Sequence, residues 1–518
     1  MCLCGLDDLP FCSPAILTRV RAVAFFRETS KFSTHSNGSF ALIRPNRNWV
    51  RLLPFAALVL CWLPLLRAAE GGAYDVSKED LPNFPFTNAA RRAGFKNIPI
   101  GSSGFKFSLG GSEQVRFQSL NNRRDFLDRL SDKDSSILTK TRLNATIFKD
   151  QFFKFFIEAQ DAHEFFNTKP GRGVDNVNEN ELDLYQAYLE FGLLLDVVDK
   201  PSLRFRLGRQ ELVYDHEYLI GDRDWFNRGQ VFDAAQARWR PDGFEIDFLW
   251  ARPVEFNNHN WDTTSDTNLA GYHLTALGVP GGHKLASYAW YKWNAQRAFR
   301  GEDRSRGGEY LWTFGGVAEG NFAKRWDYAA ELAVNAGERG GDPAHSFRID
   351  AHVGYTIPIQ WRSVRLGLSY TYATGDKDPF DGKAGTFDSL FSDPFLFHGR
   401  SLVAAGTNLR DLTAHLTAKV WRGGMIELAY HHLRLSRSRD ALFHALTFAP
   451  LRRDRTGRAG REAGGELDLQ ITHKFHENMS ITGGGFFYFP SSFFERTATR
   501  TRGGDTARNV FMMFKINF

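Results

Sequence analysis

The stretch Arg508–Phe518, RNVFMMFKINF, alternates apolar and polar side chains up to the last residue of the chain. In an extended strand successive side chains point to opposite faces, so this segment has one apolar and one polar face. The apolar face carries Val510, Met512, Phe514, Ile516 and Phe518. Bacterial outer-membrane barrels end on such strands, with lipid outside and water inside. The segment therefore predicts the closing strand of a transmembrane β-barrel, paired with a strand at residues 105–118.

The composition of the chain agrees with a barrel, although it also suits a soluble protein. The 518 residues are 42% hydrophobic and include 47 Phe and 47 Gly, and the mean hydropathy is -0.37. In a barrel strand only every second side chain faces lipid and needs to be apolar, so the average hydropathy of the strand stays low. Girdle aromatics and tight turns recur in each hairpin, which accounts for the Phe and Gly content. A large soluble all-β protein is the alternative that shares this alternation.

The apolar run Leu52–Leu66 predicts an export signal. It is too short to span a bilayer comfortably, and it lies between arginines and the pair Ala68–Ala69, an order typical of a secretory signal. We expect residues 1–69 to be an upstream extension and signal peptide, with 52–66 as its apolar region and cleavage near Ala68 or Ala69. Because residues 1–43 exceed what export needs, a non-Met start codon near residues 42–52 is a further hypothesis.

Removal of the first 69 residues would change both the cysteine content and the charge of the chain. All four cysteines lie in this part: Cys2, Cys4, Cys12 and Cys61. A cysteine-free mature chain suits passage through an oxidising periplasm. The first 69 residues hold eight Lys or Arg and three Asp or Glu, which leaves 57 basic and 56 acidic residues and lowers the net charge from +6 to +1. No nucleic-acid partner is expected, and any anion preference must come from where the basic side chains point.

The mature chain is expected to form one all-β domain, an outer-membrane type antiparallel barrel of about eighteen strands at 104–518, after a polar periplasmic lead-in at 70–103. The predicted strands are 105–118, 137–148, 152–160, 182–191, 202–210, 231–240, 244–251, 268–278, 284–293, 310–319, 326–336, 348–357, 365–374, 408–419, 424–433, 465–474, 479–489 and 509–518. An even number is what a single-chain barrel of this type requires.

The predicted connections alternate between short and long. Lys149–Gln151, Arg240–Gly243 and Arg422–Gly423 form tight turns. The long connections are 161–181, 211–230, 294–309, 375–407, 434–464 and 490–508. In outer-membrane barrels short turns lie on the periplasmic rim and long loops on the outside, so this alternation supports the strand assignment.

The strand phase also predicts which charged side chains face the lumen. When the apolar residues look outward, the inward basic residues are Arg116, Arg142, Lys154, Arg204, Arg206, Arg238, Arg348, Arg365, Lys419 and Lys515. Guanidinium groups in a narrow aqueous pore attract polyanions and suit carboxylates. The same phase sends Glu158, Glu190, Asp350 and Asp468 inward, so a ladder of salt-bridged charges that stiffens the barrel is the alternative.

Three blocks of sequence resemble the alginate export family, outer-membrane porins that pass an acidic polysaccharide. The first block, in residues 208–239, matches at Gly208, Arg209, Gln210, Glu211, Ile220, Gly221, Asp224, Trp225, Asn227, Phe232, Asp233 and Ala235. The second is the Gly-Asp-x-Asp-Pro-x-Asp-Gly pattern at 375–382, and the third is Gly465–Leu469. The resemblance covers roughly residues 105–518 and implies an eighteen-stranded barrel.

The first block also supplies candidate contacts for a sugar polymer. Trp225 and Tyr214 offer flat apolar faces beside Arg223 and beside Arg209, which is a further pore-lining candidate, and the loop candidates include Asp224 and Asn227. Sugar rings stack on such aromatic faces. The alternative is that these side chains hold a folded loop or belong to the aromatic girdle.

No metal, cofactor or enzyme activity is predicted. Asp376, Asp378 and Asp381, with Asp388, make a weak calcium candidate, because they lack the spacing and the closing Glu of an EF-hand. His415 and the pair His431–His432 are available for catalysis, but the chain has no Gly-x-Ser-x-Gly elbow.

The sequence thus predicts a passive channel in the outer membrane of a Gram-negative cell, reached through a signal peptide. Its Arg/Lys-lined pore would pass an anionic, alginate-like and uronate-rich polysaccharide by export or diffusion, and a general or small-solute porin is the alternative. The expected partners are outer-membrane lipid, the anionic polysaccharide, and a periplasmic synthesis and secretion machinery. We expect a monomer.

Overall fold

The computed structural model describes residues 95–122, 126–127, 133–150, 152–166, 178–193, 203–256, 263–359, 362–500 and 502–518. The predicted signal peptide, its cleavage site and most of the polar lead-in lie outside these residues. Within them, no helix is both long enough and apolar enough to cross a membrane.

In the described residues the main sheet has eighteen long strands and two short ones, Ile98–Pro99 and Thr263–Thr264, at its rims. In chain order the long strands are β1 (Lys106–Asn121), β2 (Asp134–Lys149), β3 (Phe153–Phe165), β4 (Asn180–Leu193), β5 (Leu203–Gln210), β6 (Phe232–Trp239), β7 (Phe244–Glu255), β8 (Asn268–Ala276), β9 (Lys284–Arg300), β10 (Arg306–Phe322), β11 (Trp326–Arg339), β12 (Asp342–Ile359), β13 (Arg362–Ala373), β14 (Leu409–Trp421), β15 (Gly424–Leu435), β16 (Glu462–His476), β17 (Met479–Pro490) and β18 (Ala507–Asn517). All eighteen predicted strands are confirmed, with shifted ends.

Each strand pairs antiparallel with its neighbour in sequence, and β18 pairs back onto β1, which closes the barrel. At this seam Val115 lies opposite Phe514 and Ser112 opposite Asn517. The backbone of Phe518 extends the seam, because Gly111 and Phe518 exchange two N–H···O bonds of 2.8 and 3.0 Å. The pairing predicted for the terminal strand is therefore confirmed.

The burial pattern of the strands confirms the predicted faces. In β1, Gln114, Arg116 and Gln118 are buried on the inside, whereas Val115 and Phe117 are exposed on the outside. In β18, Met512 is 55% exposed on the lipid-facing side. Lumen groups are covered by loops and by each other, while outward apolar groups have only lipid to cover them.

One predicted loop is wrong. Residues 294–309 belong mostly to β9 and β10, which continue beyond a bulge between Asn294 and Phe299 and leave a connection of only 301–305. Residues 295–298 are exposed on both faces. Since these strand ends carry no apolar face, their sequence does not alternate like a lipid-spanning strand.

The connections lie on two different rims, as predicted. One rim carries turns such as 240–243, 323–325, 422–423 and 477–478. The opposite rim carries the long loops 211–231, 374–408, 436–461 and 491–506. These loops contain a two-stranded ribbon (Ala441–Phe443 with Pro450–Arg453) and a single-turn helix at Ser492–Arg496.

Candidate functional site: the lumen and its two inward loops

Two long loops pair with each other inside the barrel. We call residues 211–231 the first loop and residues 374–408 the second loop. Ile220 and Phe391 form a parallel bridge, in which the Gly221 N–H donates to the Phe391 carbonyl and the Phe391 N–H donates to the Leu219 carbonyl, at 3.2 and 2.8 Å. The two loops therefore form one packed unit.

Charged groups of the barrel wall hold the first loop at Asp224. Its carboxylate accepts from Lys140 of β2 at 3.0 Å and pairs with Arg142 of β2 at 3.1 Å and with Lys515 of β18 at 3.2 Å. Burial opposes ionisation of Asp224, but these three cations outweigh it and hold the pKa of the carboxyl well below its usual range. Lys515, predicted to be a pore charge, thus serves as one of these anchors.

Trp225 packs both of its ring faces against the protein. It stacks on Phe395 of the second loop at 3.9 Å with an interplanar angle of 7°, and the Arg116 guanidinium lies 4.1 Å from the ring centroid. Two groups so close to the same ring centre must lie on opposite faces. Arg116 also donates to the Trp225 carbonyl at 2.6 Å, so this buried arginine holds the loop.

The second loop is anchored on other walls of the barrel. Asp388 accepts from Lys292 of β9 at 2.6 Å and pairs with Arg339 of β11. Farther along the loop, the Ser401 N–H donates to Glu466 of β16 at 2.6 Å. Because the first loop is anchored on β1, β2 and β18 and the second on β9, β11 and β16, the paired loops extend across the lumen and constrict it.

Three buried carboxyl groups meet where the loops pair: Glu217, Asp222 and Asp393. Burial, together with repulsion by Asp222 and Asp393, raises the pKa of Glu217 to about 9. Burial likewise raises the pKa of Asp393 to about 7, with Asp222 contributing. Like charges at close range cannot all ionise, so this junction retains protons near neutral pH.

Beside the paired loops lies a lumen cavity of about 1050 Å³. Its lining includes four Lys or Arg, eight Asp or Glu and five His. The basic residues are Arg206, Lys284, Arg365 and Arg400, and the histidines are His216, His352, His398, His415 and His431. The cavity wall is therefore of mixed charge, with more carboxyl groups than permanent cations.

Several of the predicted basic residues lie in ion pairs or loop anchors. Arg142 and Arg116 hold the first loop, as described above. Arg348 pairs with Asp350 at 2.6 Å, and Arg209 pairs with Asp233 at 2.9 Å.

A second group of predicted basic residues lies lower on the wall of β3 to β6, toward the short-turn rim. Arg206 pairs with Glu190 at 2.7 Å, and Arg204 lies 3.7 Å from the same carboxylate. Arg238 pairs with Asp247 at 2.7 Å. The side chains of Arg204 and Arg238 remain 40% and 41% exposed. Lys154 donates to the Tyr188 hydroxyl at 2.9 Å. We call Lys154, Arg204, Arg206 and Arg238 the basic stripe.

The two remaining predicted wall residues face the lumen elsewhere. Arg365 of β13 pairs with Asp327 and lines the cavity. Lys419 of β14 is exposed near the short-turn rim.

The other predicted loop residues also lie in packed contacts. Tyr214 packs against Trp290 with ring centroids 5.1 Å apart, and Arg223 donates to the Ser392 carbonyl at 2.9 Å. Asn227 is fully buried, and its amide nitrogen lies within 3.3 Å of three carbonyls, those of Thr139, His163 and Asn178. In this arrangement these side chains connect the loops to the wall.

The structure brings two of the four aspartates of the weak calcium candidate together and places the acidic groups of the other two on different partners. Asp376 and Asp381 come together with Glu302, whereas Asp378 lies 3.5 Å from Arg439. Asp388 belongs to the anchor on Lys292 described above. Burial raises the pKa of Asp376 to about 7, and Glu302 adds to the shift.

The sequence prediction missed a polar ladder on the wall of β12 to β15. His352, Ser369, Thr413 and His431 are direct cross-strand partners at successive positions. His352 Nδ1 lies 2.7 Å from the Ser369 hydroxyl, which lies 2.8 Å from His415 Nε2. The inward phase of each strand would place these residues inside, but a single sequence does not reveal the cross-strand register that aligns them.

Solved structures of outer-membrane proteins share the fold of this barrel. The model superposes on Pseudomonas aeruginosa OccK1 (OpdK) with a TM-score of 0.50 and 10% identity, over 79% of this chain and 98% of that chain. The same values hold for OpdK with vanillate. Acinetobacter baumannii OccAB4 gives a TM-score of 0.49 at 10% identity, over 83% and 100% of the two chains. The chain therefore shares the closed-barrel fold of solved outer-membrane porins.

Sequence comparison then identifies the family. A model of the Alginate export family matches residues 105–507, and the chain therefore belongs to that family. Membership of this family indicates a transport channel rather than an enzyme. A search of curated protein sequences finds no match.

Proposed function

We propose that this outer-membrane channel passes an anionic, uronate-rich polysaccharide by passive export or diffusion. The observation that carries the proposal, beside membership of the family, is the basic stripe. Its four cations stand with the carboxylates of Glu190 and Asp247 below the paired loops. The partly exposed guanidinium groups of Arg204 and Arg238 are available to a carboxylate that arrives in the lumen.

The stripe suits a moving polymer better than a tightly held ligand. Arginine presents a planar fork that fits a carboxylate through two hydrogen bonds. Because Glu190 and Asp247 already occupy these forks, a uronate must exchange with them and gains little net free energy. A series of such weak exchanges lowers the free-energy barrier to passage of the polysaccharide. It does not trap the polysaccharide in the pore, as conduction requires.

Ion selectivity and block in planar bilayers test this proposal. Wild-type channels should prefer anions and be blocked by acidic but not by neutral oligosaccharides, and Arg204→Glu with Arg206→Glu should weaken both properties. The matched control is Lys324→Glu with Arg325→Glu, the same charge change in an exposed turn. Cation selectivity without block by acidic oligomers would reject the proposal.

A general or small-solute porin is the second candidate. It is favoured by the cavity lining, in which carboxyl groups outnumber permanent cations. In that case acidic and neutral oligosaccharides of equal length would block the current equally.

The proposed route to the membrane follows from the sequence. We infer that residues 1–69 are removed on export and that residues 70–103 form a periplasmic lead-in to the barrel. We also infer a monomer, supplied with polymer by a periplasmic synthesis and secretion machinery. Mass spectrometry of the protein from outer membranes, with a mature N-terminus near residue 70, tests the first step.

A further inference from the structure

Two arginines lie next to each other on the outer face of the barrel, close to the long-loop rim. Arg410 is the second residue of β14 and Arg434 is the last but one of β15, and the two are direct cross-strand partners. Leu412 and Tyr430 mark the outward face of the same strands, where they are 45% and 49% exposed. Side chains two or four residues apart on a strand share a face, so both arginines point away from the lumen.

The arginines belong to a row of four outward residues that crosses β13 to β16. Tyr372 is the cross-strand partner of Arg410, and Glu462 is the partner of Arg434. We call Tyr372, Arg410, Arg434 and Glu462 the outer row. Toward the short-turn rim the same face of β13 to β15 becomes apolar, and its exposed side chains there are Leu366, Leu368, Tyr370, Leu412, Leu428 and Tyr430.

The outer row lies at the border of the lipid-facing band on the long-loop side. Aromatic residues of outer-membrane barrels cluster where hydrocarbon meets the lipid headgroups. Tyr372 stacks on Phe347 of β12, another outward aromatic residue, with ring centroids 5.4 Å apart. Basic side chains beside such a girdle lie at the depth of the headgroups. The position of Arg410 and Arg434 is therefore that of the phosphates of the adjoining leaflet.

The outer row carries one more positive charge than negative charge. Glu462 Oε1 lies 2.6 Å from Arg434 Nε and offsets the charge of that arginine. The Arg410 guanidinium lies 5.0 Å from the centre of the Tyr372 ring, and no carboxylate of the described residues lies within 4.0 Å of it. Like charges directly opposite each other destabilise a sheet. An anion bound to both guanidinium groups would remove this repulsion.

The loops beyond the outer row extend its positive charge. Residues 436–461 and 491–506 contain ten arginines, no lysine and four acidic residues. Arg437 lies closest to the row, because its N–H donates to the side-chain oxygen of Asn408 at 2.7 Å, two residues before Arg410. A surface of one sign attracts anions. The planar guanidinium fork matches phosphate through two hydrogen bonds, which a lysine ammonium does not offer.

We propose that the outer row binds the phosphate group of a lipid in the adjoining leaflet of the outer membrane. Arg410 and Arg434 are the phosphate ligands, and the Tyr372 ring holds the Arg410 guanidinium in place. A lipid suits this position better than a polymer in the pore, because the row faces away from the lumen and continues into apolar side chains that acyl chains can contact. The proposal does not depend on what the channel conducts.

Native mass spectrometry of the purified protein in a nonionic detergent tests the site, with diphosphorylated lipid A as the probe. Arg410→Gln with Arg434→Gln should weaken lipid binding at least about ten-fold, since the double variant loses two charged donors to the phosphate. Glu462→Gln should strengthen binding, because it removes the carboxylate that competes for Arg434, and a folding defect cannot produce such a gain. Lipid A without its phosphates has the same acyl chains and should bind wild type at least about ten-fold more weakly.

The matched control removes the same charge at the opposite rim of the barrel. Arg325→Gln with Arg422→Gln alters two exposed arginines in short turns and should leave lipid binding as in wild type. Heat-modified mobility in gels reports folding of each variant. Equal binding of lipid A with and without its phosphates, or wild-type binding by the folded Arg410→Gln and Arg434→Gln double variant, would reject the phosphate site.

Two competitors distinguish a lipid from other anions. Inorganic phosphate and an oligogalacturonate, each added at the concentration of the lipid, should leave lipid A bound, because neither has acyl chains that contact the apolar face. Displacement by inorganic phosphate would assign the outer row to the free ion. Displacement by the oligogalacturonate would assign it to an acidic polymer at the cell surface. Either displacement would overturn the assignment to a lipid.

Discussion

At the scale of single residues, buried polar side chains determine how the lumen is filled. Arg116 is 2% exposed, and it contacts a backbone carbonyl and an indole ring of the first loop. Asn227 is 0% exposed and faces three carbonyls. Such groups are costly to bury without partners, so they specify one position for the loop that they hold.

Asn227 gives a prediction at this scale. Asn227→Ala removes the donors to three carbonyls and should destabilise the packed first loop by about 1–3 kcal/mol. Asn227→Asp should destabilise the loop more than Asn227→Ala. A carboxylate has only acceptor oxygens, and these would face the three carbonyl oxygens, which are also acceptors. Amide exchange in residues 211–231 measures both effects, and Asn321→Ala on an exposed strand end is the control. Equal protection in wild type and Asn227→Asp would show that the amide does not hold the loop.

The inward direction of the basic residues followed from strand phase, but their partners did not. Alternation alone indicates that Arg116 and Arg142 point into the barrel. It does not indicate that loop residues more than 80 positions away fold in to meet them, as Asp224 does for Lys140. The sequence therefore predicted a basic pore, whereas the structure shows arginines and lysines largely engaged by loops and by acidic neighbours.

At the scale of elements, the paired loops depend on the protonation of their junction. The raised pKa values of Glu217 and Asp393, about 9 and about 7, mean that the packed loops hold protons which the opened loops release. Between the ordinary carboxyl values and these raised values, the opened state binds fewer protons than the packed state. The contribution of Glu217 and Asp393 to the stability of the packed state is therefore full below this range and is lost as the pH rises through it.

This dependence of loop stability on pH gives a prediction. Amide exchange at Gly221 and Phe391, corrected for its intrinsic pH dependence, should be faster at about pH 8 than at about pH 5. Glu217→Gln with Asp393→Asn should flatten this dependence, because the amides mimic the neutral acids. Glu477→Gln, in an exposed turn, should leave it unchanged. Protection that increases with pH in wild type would contradict the assignment of protons to the junction.

The strands were predictable and the loop arrangement was not, for a physical reason. Lipid imposes an apolar residue at every second position of a spanning strand, and this period is visible in the sequence. The ends of β9 and β10 extend beyond that apolar face, so residues 294–309 were mistaken for a loop. The pairing of residues 211–231 with residues 374–408 depends on contacts between distant parts of the chain. Such contacts produce no periodic pattern of apolar residues in the sequence.

At the scale of the whole molecule, closure depends on one seam. Gly111 sits where β1 meets the end of the chain, and a Cβ there would lie 2.5 Å from the Arg142 carbonyl and 2.7 Å from the Phe518 ring. The absence of a side chain allows this aromatic ring to cover the seam. The terminal aromatic residue that first indicated a barrel is thus also a packing element of its closure.

Gly111→Ala should therefore weaken the barrel. The added methyl group must displace backbone or ring atoms, at a cost of about 1–3 kcal/mol. The temperature at which folded barrel converts to the slower-migrating form in gels should fall. Gly483→Ala, whose nearest contact would be 3.7 Å away, is the matched control. An unchanged conversion temperature for Gly111→Ala would mean that the seam accommodates the methyl group.

The topology of the sheet has a consequence for the order of folding. Among the eighteen long strands described here, seventeen of the eighteen ladders join strands that follow one another, and the ladder between β18 and β1 joins the first long strand to the last. Hairpins can form early because short connections cost little entropy, whereas the final ladder must bring distant segments together. Until that ladder forms, both β1 and β18 present unpaired backbone edges. We expect its formation to be the slow step of assembly, and a chain truncated before Ala507 to accumulate as an open, aggregation-prone sheet.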